Sequence, residues 1–66
     1  MPKFPLKVII HQKVVEGAGV DCNNCIGTAL RTIKSDATED WEVRFKNNSG
    51  KTYLFSFDKH NLEVIM

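Results

Sequence analysis

The side chains in this 66-residue sequence best suited to nucleophilic or soft-metal chemistry are Cys22, Cys25, His11 and His60. In Cys22-Asn23-Asn24-Cys25 the two thiols are spaced to act on one centre. At a helix N-terminus the helix dipole would lower their pKa values. That chemistry suits thiolate attack or capture of a soft ion, Cu(I) or Zn(II), with Cys22 and Cys25 as ligands. The reading preferred for Cys22 and Cys25 is packing, because both fall on an apolar stripe and free cysteine often behaves as a small buried hydrophobe. A closed zinc site needs four ligands. His11 precedes Cys22 by 11 residues and His60 follows Cys25 by 35, with no His-x-x-x-His pair. The two histidines are therefore expected at the surface. A Cys–His nucleophilic pair would also need an oxyanion loop and a cleft, and the chain is too short to build them. No enzyme is expected.

Other chemistries fail on spacing. Gly17-x-Gly19 is too short to cradle a nucleotide, and Lys51-Thr52 after Gly50 lacks the rest of a phosphate loop. The carboxylates show no paired arrangement. Nine basic and eight acidic residues leave a net charge of +1. The signs are mixed along the chain, so the basic face of a nucleic-acid binder is not expected. Nucleic-acid binding stays a second alternative, because sheet aromatics can stack on bases. Five of the six rings, however, are expected on the sheet face that the helix described below must cover.

The elements that hold these residues follow from periodicity. Phe4, Leu6, Val8 and Ile10 alternate with Pro5, Lys7 and Ile9, which predicts a strand over about 4–12. Glu16-Gly17-Ala18-Gly19 breaks the pattern and predicts a loop over 16–21. Cys22, Cys25, Ile26, Ala29, Leu30 and Ile33 fall at the spacing of an amphipathic helix, predicted over about 22–34 with Asp21 as N-cap. The pattern ends at Ser35-Asp36. Strands are predicted over about 41–46 and 52–57, joined by Asn47-Asn48-Ser49-Gly50. A hairpin would put Trp41, Val43, Phe45, Tyr53, Phe55 and Phe57 on one face. After Asp58-Lys59-His60-Asn61, a last strand is predicted over about 62–66. The expected fold is α+β: a two-layer β-α-β-β(-β) domain over 1–66. One amphipathic helix would pack on one face of a three- or four-stranded, mostly antiparallel sheet.

Two resemblances attach to these residues. The stretch Gly19-Val20-Asp21-Cys22-Asn23-Asn24-Cys25 opening a helix resembles the metal loop of heavy-metal-associated domains, with Val20 where that family usually carries Met. It implies Cys22 and Cys25 as Cu(I) ligands. The stretch from His11-Gln12 to Ala29-Leu30 is similar to small uncharacterised α+β proteins encoded by phages and prophages, with Ile26 where Pro is frequent. That resemblance implies an accessory, host-interaction role.

No apolar run reaches the roughly 20 residues of a membrane helix. Val8-Ile9-Ile10 is too short for a signal peptide's apolar stretch, so a cytoplasmic protein is expected. The function expected from these exclusions is a small non-enzymatic interaction module. It would be a phage- or mobile-element-type accessory protein that binds a protein partner, with a homodimer through a strand edge as one form. The alternative is a metal-binding or thiol protein built on Cys22 and Cys25.

Overall fold

The computed structural model describes residues 3–15, 17–34 and 37–65. Among these residues seven strands are seen: β1 Leu6–Ile10, β2 Val14–Val15, β3 Val20–Asp21, β4 Ile26–Lys34, β5 Glu39–Lys46, β6 Thr52–Asp58 and β7 Leu62–Val64. A 3₁₀ turn at Lys59–Asn61 is the only helical element among the described residues. Five strands form one antiparallel sheet in the order β6-β5-β4-β1-β7, and β2 and β3 form a separate hairpin.

The expected α+β architecture is thus corrected to an all-β one, and the helix over 22–34 is absent. Where it was expected, a turn leads into β4, the nine-residue centre of the sheet. The composition of β4 explains the outcome. Ile26, Thr28, Thr32 and Ile33 are β-branched and lose side-chain freedom in a helix. Gly27 weakens a helix interior further, by about 1 kcal/mol relative to Ala. On β4 the inward positions are Gly27 and Ala29, opposite Phe45 and Val43. A bulge between Ala29 and Arg31 then shifts the register, so that Thr32 comes opposite Trp41. The inserted residue breaks the period of two. Turn, strand and bulge together mimic the helical stripe.

The first strand was expected beside 41–46 or 52–57. It pairs instead with β4 on one side and β7 on the other, through Val8↔Gly27 and Val8↔Val64. The sheet has five strands rather than three or four. The hairpin of β5 and β6 matches its expected residues, and Trp41, Val43, Phe45, Tyr53, Phe55 and Phe57 share one face. Asn47 holds the connecting turn: its carboxamide oxygen accepts N–H bonds from Ser49 and Lys51. The last strand covers Leu62–Val64; Met66 lies outside the described residues, as do Glu16, Ser35 and Asp36.

No helix is needed to close the core. Val8, Ile10, Ala29 and Val43 are fully buried on the inner face of the sheet. Val20, Cys22 and Cys25 join the same cluster from the segment 11–25. That segment is tied to the end of β1: Ile10 N–H donates to Cys25 O, and Asn24 N–H to Ile10 O. Gly17 and Gly19 turn the β2–β3 hairpin with φ of +83° and +66°, which Gly adopts without steric cost. At the far end Phe4 meets Trp41 edge-on, ring centroids 5.3 Å apart. Each fully buried Val or Ile contributes roughly 1.5–3 kcal/mol, and Val8 and Ile10 of β1 and Val43 of β5 supply it on either side of the small Gly27 and Ala29 of β4.

Candidate functional site

Cys22 and Cys25 sit at the two ends of a tight turn closed by Cys25 N–H donating to Cys22 O at 3.1 Å. Asn24 takes φ +63° within it, a conformation that Asn tolerates better than most residues. Asp21, expected to cap a helix, performs related chemistry on the turn. Its Oδ1 accepts the Asn23 N–H at 3.4 Å, and its Oδ2 accepts Asn48 Nδ2 at 2.8 Å. The second bond clips the cysteine turn to the β5–β6 connection.

Both thiols are buried and free, with 0% and 6% of each residue exposed. Cys22 S–H donates to Gln12 O at 3.1 Å, and Cys25 Sγ lies 3.9 Å from Asn48 Oδ1. Burial, then the neighbouring Cys25 and Asp21, push the Cys22 thiol above its ordinary pKa. Burial, then Asp21, does the same to Cys25. The pair is therefore held as thiols at neutral pH, and no helix dipole acts on it. A soft ion would have to displace two protons from a packed core to use these sulfurs.

The histidines stand elsewhere. His11 Nε2 is 2.8 Å from Glu63 Oε1, and His60 Nδ1 is 2.9 Å from Asp58 Oδ1. Among the described residues no group of three or more His, Cys, Asp or Glu side chains could hold a metal ion. An open hollow of about 450 Å³ beside His60 is lined by Lys34, Glu39, Asp58 and Lys59. Its carboxylates already have partners. Trp41 Nε1–H donates to Glu39 at 3.0 Å, and Lys59 Nζ lies 3.6 Å from it. The backbone N–H of His60 donates to Asp58 at 2.9 Å.

Among the described residues the longest strand stretch with a partner on one side alone is the outer edge of β6. Its seven residues pair with β5 from Asp40↔Asp58 to Lys46↔Thr52 without a break in register. The other side of β6 is the edge of the sheet. Natural edges are blunted by proline, lysine, inward charge or a bulge. Thr52-Tyr53-Leu54-Phe55-Ser56-Phe57-Asp58 has none of these, and its one charge is at the end. The opposite edge, β7, is only three residues long. The β6 edge was readable as an apolar alternating strand, but its place at the border depended on a strand order that the sequence left open.

Among the described residues no helix is long and apolar enough to cross a membrane. No protein-family model matches the chain, and neither a curated protein nor a solved structure matches it.

Proposed function

We propose that this chain is a small non-enzymatic interaction module that binds a protein partner by strand addition at β6. The observation carrying this reading is the unbroken, unprotected seven-residue edge Thr52–Asp58. Main-chain bonds to an incoming strand give affinity, and alternate side chains give specificity. A second copy of the chain satisfies that edge well. Antiparallel pairing centred on Phe55 would set Thr52 opposite Asp58 of the other copy, with no like charges facing. It would also extend the half-buried Tyr53–Phe55 stack, whose centroids are 5.7 Å apart, across the junction. An accessory role of the phage or mobile-element kind, in the cytoplasm, belongs to the same reading.

The buried, hydrogen-bonded thiols support packing over metal capture or thiol exchange as the role of Cys22 and Cys25. Sedimentation tests the reading. The native chain is expected to move from one toward two chains per particle as concentration rises. Phe55→Lys would oppose two cations at the two-fold axis and stay at one, its fold checked by circular dichroism. A native chain that remains monomeric at millimolar concentration contradicts self-pairing at β6.

A further inference from the structure

The solvent face of the sheet carries a basic cluster set around aliphatic side chains. Lys7, Thr28, Arg44 and Leu54 form one cross-strand row over β1, β4, β5 and β6. Lys46 lies two positions along β5 from Arg44, on the same side. Strands are about 4.8 Å apart, so Lys7 and Arg44 flank Thr28 at a backbone separation of roughly 10 Å. Lys7, Ile26, Thr28, Arg44, Lys46 and Thr52 line a shallow hollow of about 220 Å³. Among the described residues, none of these three cations has an ion pair or a side-chain hydrogen bond, whereas Arg31 on the same face is taken by Glu42 at 3.0 Å. Ile26 and Leu54 are 57% and 52% exposed beside them.

We infer that this hollow is a docking site for a partner polypeptide whose contact segment carries carboxylates around an aliphatic side chain. The cations supply complementary charge, and Ile26 and Leu54 supply the apolar area that free carboxylates would not use. A single-stranded nucleic acid fits less well. Phe4, Trp41, Phe45, Tyr53, Phe55 and Phe57 all serve the inner face, so no ring is left for bases to stack on. The inference rests on the reading of the chain as a partner-binding module but uses the outer face of the sheet, sharing only Thr52 and Leu54 with β6. Its failure is therefore separable from failure at the β6 edge, which is read by particle mass.

The test is a titration of the intact chain with a fluorescent peptide of about eight residues, alternating Glu and Leu. An oligothymidylate of equal charge serves as the competing probe, and amide shifts are followed by NMR. The peptide is expected to shift Thr28, Arg44, Lys46 and Leu54 and to bind more weakly as salt rises. Arg44→Glu with Lys46→Glu is expected to weaken it about tenfold or more, and Leu54→Ser about threefold. These are exposed positions, and circular dichroism confirms the fold of each variant. Absence of peptide binding at these residues overturns the inference, as does equal or tighter binding of the oligothymidylate. An affinity unmoved by Leu54→Ser also overturns it.

Discussion

Gly27 stands directly opposite Phe45 across β4 and β5, and a methyl group placed on it would lie 2.9 Å from Phe45 Cβ. The same methyl would meet Val43 Cγ1 at 2.7 Å and the Arg44 carbonyl oxygen at 2.9 Å. Two of these three neighbours are a backbone atom and a Cβ, which cannot swing aside. Glycine here permits close packing at the centre of the sheet. Gly27→Ala is therefore expected to cost about 2 kcal/mol through overpacking, despite alanine's better intrinsic propensities. Urea unfolding measures it. In a domain whose net stability is roughly 3–5 kcal/mol, that loss would leave a visible unfolded population.

The cysteines give a prediction in alkaline solution. Burial raises both thiols above the ordinary value of 9.0, so the unfolded chain loses these protons first as pH rises. The unfolded state then binds fewer protons than the folded one, and stability must fall. Their contribution is complete below about pH 9 and is lost as pH climbs through the folded values. Native chains at pH 8 should alkylate far more slowly than chains in denaturant. Rapid native alkylation would show that the sulfurs are accessible, and the metal and thiol chemistry would return.

Acid acts through different groups. The Trp41 indole N–H first, and then Lys59, hold Glu39 below its usual carboxylate range. The His60 backbone N–H, followed by its side chain, does the same for Asp58. A depressed carboxylate stabilises the fold above its unfolded pKa, and the effect disappears as pH falls through the lower folded value. Melting temperature should thus decline from about pH 4.5 downward. Asp58→Asn should flatten part of that decline, because an amide does not titrate.

The legibility of this chain in sequence divides at Cys22. The β5–β6 hairpin was plain because Trp41, Val43, Phe45 and Tyr53, Phe55, Phe57 alternate without interruption around an Asn/Gly turn. Strand β1 was plain for the same reason. Strand β4 was hidden by two local events. The turn at Asn24 sets Cys22 and Cys25 three apart on the core side, and the bulge after Ala29 offsets the alternation by one. Each event is ordinary in a sheet, yet their sum has helical spacing. The β-branched content of 26–33 and Gly27 pointed the other way. Strand order is hidden with it: a helix over 22–34 removes one of the two neighbours of β1, and the other, β7, is only three residues long. Burial of the two sulfurs was expected on packing grounds, although a turn and a hairpin bury them where a helix was expected to do so. The grouping of Lys7 with Arg44 and Lys46 needed the true order, because Thr28 of β4 stands between them.

Amide hydrogen exchange along Thr52–Asp58 reports whether the β6 edge pairs with a second copy. Residues of β6 alternate between bonding β5 and facing outward, so about half of its amides have no partner in an isolated chain. With rising concentration those outward amides should gain protection together, centred on Phe55, while β7 is unchanged. Outward amides that exchange at the free rate at every concentration would contradict pairing of a second copy at this edge.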